Sequence, residues 1–179
     1  MQRRPVALVQ GLVLAALCAT AACGYSLAGR GAFLPPHIKV IGVPAFQNHT
    51  SVFDVERRVT DRVRSELIGR GRFTVETRVE GVDAVLSGEI SSITISPSAF
   101  NEQRQAVRYA LVLTAKIEFR DLKDNKVLWN NPAMQFREEY ELSGTVSDPN
   151  AFFGQDVNAL DRLAAEFART LVSAILEAF

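Results

Sequence analysis

The sequence predicts an α+β domain in which two helices pack on one face of a mostly antiparallel, mixed sheet of about four strands. Three observations lead there. Residues 107–119 alternate with a period of two: Val107, Tyr109, Leu111, Leu113, Ala115, Ile117 and Phe119 share one phase, while Arg108, Thr114, Lys116 and Glu118 share the other, as in a half-buried antiparallel strand. Two further stretches carry apolar residues at helical spacing. The element order is strand, helix, several strands, helix, and a common sheet face is the simplest place to bury both helical stripes.

The elements follow in chain order. Met1-Gln2-Arg3-Arg4 is a short positive start, followed by an apolar run to Leu17 and small residues from Cys18 to Ala22. This is the order of a secretory signal peptide. The run is short for a membrane-spanning helix, which needs about 20 apolar residues. Residues 1–22 are therefore expected to be removed. The junction Leu17-Cys18-Ala19-Thr20-Ala21-Ala22-Cys23-Gly24 resembles a bacterial lipobox, in which small residues precede a cysteine that receives lipid. Thr20 stands where that pattern has an aliphatic residue. Cleavage before Cys23 removes Cys18, so Cys23 has no intramolecular disulfide partner, and a lone cysteine in an exported chain needs another use. Acylation supplies one, and several acyl chains anchor stably where one does not. Cys23 is thus the expected lipid-attachment residue. Gly24, in place of the Asp that favours inner-membrane retention, points to the outer membrane. Residues 23–36, with Gly24, Gly29, Gly31, Pro35 and Pro36, form a lipidated leader to a single domain at 37–179.

A strand is expected at Ile38–Phe46, apolar in both phases and ending near Pro44. A helix follows from Thr50-Ser51, with Ser51 and Asp54 spaced as in a capping box and Val52, Val55, Val59, Val63 and Leu67 as its stripe; Gly69 and Gly71 stop it. Strand segments are expected at Phe73–Glu76 and Ala84–Ile95, then a polar loop from Ser96 to Gln105. After the strand at 107–119, Asp121–Lys126 supplies a turn. The return strand includes Val127–Trp129 and Met134–Tyr140, with Asn130-Asn131-Pro132 marking a bulge or an edge. A last helix from about Asp156 to Ala178 carries Leu160, Leu163, Ala164, Phe167, Leu171, Ala174 and Ile175 on one face.

Composition excludes several functions. The chain has 179 residues with 20 Lys and Arg against 20 Asp and Glu. Loss of Arg3 and Arg4 leaves 18 against 20, about −2, so no basic stripe for nucleic acid exists. The 157 residues left after position 22 are enough for one domain that folds without disulfides. The two histidines, His37 and His49, fall in loop-like stretches with no free cysteine to join them, so no metal site is expected. No nucleophile elbow or phosphate-binding loop is present, and no cofactor is implied. Glu138 and Glu139 are strand neighbours that point to opposite faces. Arg104, Arg108, Lys116 and Arg137 surround the hairpin and are the candidates for a cationic surface; against that stands ordinary solvation with cross-strand pairing to Glu118 and Glu139. The sequence favours the second.

Several stretches together resemble the LPS-assembly lipoprotein family, LptE. They begin at Cys23-Gly24-Tyr25-Ser26-Leu27 with Gly29, and continue through Leu34-Pro35 and Val43-Pro44-Ala45-Phe46-Gln47-Asn48-His49-Thr50. They resume over Asp83–Ile90, Tyr109–Arg120, Val127-Leu128-Trp129 and Tyr140 with Leu142. They end in the closing helix with Leu163-Ala164 and Ala168-Arg169. The resemblance implies a non-enzymatic outer-membrane lipoprotein, lipid-anchored with palmitate-type chains and facing the periplasm. Its partner would be the LptD β-barrel, which it plugs and helps to assemble, and lipopolysaccharide would be the cargo. It carries over no ligand-binding residue beyond Cys23. The competing class is a periplasmic regulatory lipoprotein contacting cell-wall synthases, against which the short leader speaks.

Overall fold

The computed structural model describes residues 34–70, 72–141, 146, 148–155 and 158–178. The signal segment 1–22, Cys23 and the leader up to residue 33 lie outside the described residues. Nine elements follow: β1 (Val40–Gly42), β2 (Gln47–Asn48), α1 (Val55–Gly69), β3 (Thr74–Glu76), β4 (Ala84–Phe100), β5 (Ala106–Asp121), β6 (Lys126–Glu141), α2 (Pro149–Gln155) and α3 (Ala159–Leu176). One sheet runs in the order β3-β1-β4-β5-β6, with β2 also paired to β4. β1 lies parallel to β3 and β4, and β2 parallel to β4. β4, β5 and β6 form an antiparallel meander. The sheet is mixed and largely antiparallel, as expected. Its six strands exceed the expected four because the long meander gains three short parallel additions of two or three residues each.

One face of the meander is the core. β4 contributes Leu86, Ile90 and Ile93; β5 contributes Leu111, Leu113, Ala115, Ile117 and Phe119; all are buried. α1 covers this face with Val55, Val59, Val63 and Leu67, and α3 with Leu160, Leu163, Phe167, Leu171 and Ile175. Each large side chain buried in this way contributes about 1.5–3 kcal/mol. Phe136 of β6 meets Phe167 of α3 edge to face, with centroids 6.5 Å apart. Two glycines mark close approaches. A Cβ at Gly88 would collide with the Phe46 ring, and one at Gly42 with the backbone carbonyl of Arg78. Both strands therefore need glycine where another group crosses them.

Four local expectations are corrected. α1 begins at Val55, not at Thr50-Ser51, and Ser51 does not cap it. Asp54 stands before the first turn at φ 67 without a side-chain cap bond; its carboxylate instead accepts from Arg57 at 2.6 Å and from Arg58 at 3.3 Å. Asn48 organises residues 50–52, accepting from the Thr50 amide at 2.8 Å and donating to the Val52 carbonyl at 2.9 Å. That turn consumes the residues that would have started the helix. Second, β4 continues through Pro97 to Phe100 where a loop was expected. Past Ile90 no described strand flanks its outer side, and register shifts occur at Pro97/Ala99 and Ala99/Phe100; edges and bulges are where a strand tolerates proline.

Third, the strand expected over Ile38–Phe46 is regular only at Val40–Gly42, after which the chain leaves the sheet near Pro44 and rejoins it as β2. Fourth, the closing helix starts at Ala159, and a separate helix, α2, precedes it. Pro149 opens α2, a favoured first position, and the Asp148 carboxylate accepts from the Ala151 amide at 3.0 Å. β6 bears out its expected irregularity: the register shifts between Ala115 and Ile117, opposite Asn131-Pro132, and β6 ends the sheet order.

Candidate functional site

β5 dictates the second face of the meander. Its polar phase, Arg108, Thr114, Lys116, Glu118 and Arg120, lies beside Glu89 and Ser92 of β4 and beside Gln135, Arg137, Glu139 and Glu141 of β6. No described helix covers it, and its charges pair laterally. Arg108 reaches Glu141 at 2.9 Å and Glu139 at 3.9 Å. Arg137 reaches Glu139 at 3.2 Å, and Arg120 reaches Glu118 at 2.8 Å. Lys116 pairs across the strands with Glu89 at 3.9 Å. Three of the four candidate cations, Arg108, Lys116 and Arg137, thus share one face, and each has a carboxylate. Arg104 sits apart in the β4–β5 turn at φ 58. Glu138 and Glu139 register opposite Leu111 and Ala110, hence on opposite faces, as alternation requires. A shallow recess of about 220 Å³ lies among Gln47, Ser87, Gly88, Glu89, Lys116 and Glu118. It is smaller than a usual ligand cleft of ~300–1,000 Å³, and its polar lining lacks the apolar walls such clefts have.

The end of the meander beside β1 is held by two carboxylates. Asp83 accepts the Lys39 and Val40 amides, each at 2.8 Å, and these two bonds hold its pKa below the ordinary range. Asp121, almost fully buried, accepts from the Lys123 amide at 2.8 Å and lies 2.7 Å from His37 Nε2. Burial pushes the Asp121 carboxyl up, but the amides of Asp124 and Lys123 together with His37 outweigh it and leave it below the ordinary range. His37, Asp121 and Asp124 bring ligand-type atoms within 4.8 Å of one another. Both Asp121 oxygens are already committed to amides and imidazole, so the grouping acts as a staple between the segment ahead of β1 and the β5–β6 turn. The sequence reading missed this pairing. His37 and Asp121 are 84 residues apart, and no local pattern announces it. His49 remains in a loop, 3.3 Å from Glu89.

These features define a class: a sheet with helices on one face, a charge-paired open face and a stapled segment ahead of its first strand. No helix among the described residues is long and apolar enough to cross a membrane. Solved structures share the fold. The PelC dodecamer from Paraburkholderia phytofirmans matches at TM-score 0.51 and 16% identity, covering 83% of this chain and 93% of that one. A hypothetical protein from Chlamydia trachomatis matches at TM-score 0.52 and 10% identity, covering 77% and 95%. An uncharacterized lipoprotein B from Nitrosomonas europaea matches at TM-score 0.50 and 13% identity, covering 86% and 88%. A comparison with curated proteins finds no match.

The family model described as "LptE: Lipopolysaccharide-assembly" matches residues 38–175, and the chain belongs to that family. Membership makes it a non-catalytic lipoprotein of the outer membrane, facing the periplasm and acting with an outer-membrane partner.

Proposed function

We propose that this protein is a lipopolysaccharide-assembly component that plugs, and helps to assemble, the LptD β-barrel, held in place by lipid on Cys23 after removal of residues 1–22. The observation that carries the reading is the family match over 38–175, nearly the whole domain. Two further features support it. The open face has its charges paired in place, as suits a surface that meets a partner without leaving an uncompensated charge. The sequence between Cys23 and Leu34 is also short, as suits a domain moored near its lipid.

Affinity purification of the tagged native lipoprotein from detergent-solubilised outer membranes tests the reading. LptD is expected to come with it in stoichiometric amount. Recovery of the lipoprotein alone, or with cell-wall synthases in place of the barrel, contradicts it. Intact-mass analysis of the same sample is expected to show a chain starting at Cys23 with the added mass of its acyl chains; an unmodified Cys23 or an uncut chain contradicts the anchor.

A further inference from the structure

The two long outer sides of the sheet are closed in different ways. Past Ile90, β4 is broken by Pro97 and by register shifts at Ile90/Ser92, Pro97/Ala99 and Ala99/Phe100, and prolines and bulges keep another strand from pairing. β6 ends the strand order, and among the described residues no strand pairs with its outer side. Pro132 and the shift between Ala115 and Ile117 break its first half. From Met134 to Glu141 its pairing with β5 is regular, and this stretch holds no proline and no register shift. It offers roughly 25 Å of ladder to a further strand.

One side chain in that stretch is out of place. Gln135, Arg137, Glu139 and Glu141 are exposed, while Met134, Phe136, Glu138 and Tyr140 are covered to differing degrees. The covered phase lies on the helix side, where Phe136 meets Phe167 of α3 and Tyr140 meets Phe152 of α2. Glu138 stands between Phe136 and Tyr140 along the strand and opposite Leu111, which has no exposed surface. The position asks for an apolar side chain. Glu138 makes no hydrogen bond or ion pair with any described residue. Arg162 of α3, 5.5 Å from the centroid of the Tyr140 ring, does not pair with it. An unpaired carboxylate must keep its water. From the helix side of an outermost strand, the way to water leads past the free edge. The other charges of β6 differ. Arg137 pairs with Glu139 at 3.2 Å, and Glu141 with Arg108 at 2.9 Å, on the open face. A strand added to β6 would leave that face as wet as before, but it would close over Glu138.

We infer that Glu138 guards this edge: an unpaired carboxylate on the helix side of β6 bars a further strand, a second copy of this chain above all, and so ends the sheet. Identical edges are self-complementary across a two-fold axis, which makes a second copy the strand to be refused. An inward-pointing charge is a means of refusal that leaves the strand itself regular. The charge is kept at the expense of stability, since an apolar side chain there would gain contact with Leu111. The inference goes beyond the barrel reading and does not depend on it.

The test compares full-length lipoproteins purified from outer membranes in one detergent. Light scattering is expected to find one wild-type chain per micelle. Glu138→Val is expected to self-associate at concentrations roughly ten-fold or more below any at which wild type does, since no charge is then trapped. Amides within 134–141 are expected to slow in hydrogen exchange as it associates. Diluted to single chains, Glu138→Val is expected to unfold in urea no more easily than wild type. Glu138→Thr, uncharged and smaller, is expected to associate in the same way and gives a second reading where valine disturbs packing. Glu138→Lys, which keeps a charge at the edge, is expected to stay single. Glu139→Val, the same apolar side chain one residue along on the open face, is expected to stay single too. Glu138→Val and Glu138→Thr that both remain single chains overturn the guard, and a loss of stability in both would make the residue structural instead. Association of Glu138→Lys or Glu139→Val as readily as Glu138→Val overturns it as well, as does wild type that already pairs through 134–141.

Discussion

On one side of β5, Leu111, Leu113 and Ala115 have no exposed surface, and Ile117 and Phe119 are 1% exposed. One residue along, on the other side, Lys116 and Arg108 have side chains 62% and 46% exposed and hold their carboxylates across neighbouring strands. The same strand therefore presents two surfaces that differ in what maintains them. The inner face is kept by close packing, in which each residue's place is fixed by volume. The outer face is kept by solvent-screened pairs, each contributing about 0–1 kcal/mol. Stability belongs to the first face, and the second is free to change with a partner.

The comparison can be broken most severely from the inside. Phe167→Ala removes a fully buried ring that Phe136 meets edge to face, and is expected to cost about 3–5 kcal/mol in urea unfolding; a loss below 1 kcal/mol would mean that the inner face is not close-packed. Gly88→Val forces a side chain into the space of the Phe46 ring and is expected to cost about 1–3 kcal/mol.

The Asp83 anchor lies between these extremes. Its folded pKa is depressed by the Lys39 and Val40 amides. The stability it adds is therefore complete above the unfolded carboxylate range, near ~4, and is lost as pH falls through the lower folded value. Asp83→Asn is expected to lower the melting temperature at neutral pH and to flatten the acid limb of the stability profile, with wild type and variant converging once the carboxyl is protonated. Parallel profiles at every pH would remove the charge from the account. Smallest of all, Lys116→Ala is expected to change stability by less than about 0.5 kcal/mol, and a larger loss would show that the open face is structural.

What was legible in the sequence divides along the same line. β5 was readable because its apolar phase repeats without interruption from Tyr109 to Phe119, and α1 and α3 because Val55, Val59, Val63 and Leu67, or Leu160, Leu163, Phe167 and Leu171, each mark one helical face. These patterns record burial, which is periodic. Ends were read less well. Ser51 looked like a cap, but Asn48 captured the turn; Pro97 looked like a break, but it sits on an edge that no described strand flanks. Asp148-Pro149 is a local start signal for α2, but that helix has only 7 residues, too few for an apolar stripe to repeat. The functional surfaces were the least legible. His37 with Asp121, and Lys116 with Glu89, depend on how distant segments are brought together, which a local pattern does not encode. Family resemblance, by contrast, was spread over short pieces of nearly the whole domain, and the family match at 38–175 bears it out.

The central claim is that this lipoprotein serves lipopolysaccharide assembly at the outer membrane. It is tested most directly by measuring surface-exposed lipopolysaccharide while the protein is depleted from its native cell and then restored. Depletion is expected to lower surface lipopolysaccharide and let it accumulate inside the envelope, with full recovery on re-expression of the wild-type chain. Unchanged surface lipopolysaccharide after complete depletion would contradict the account.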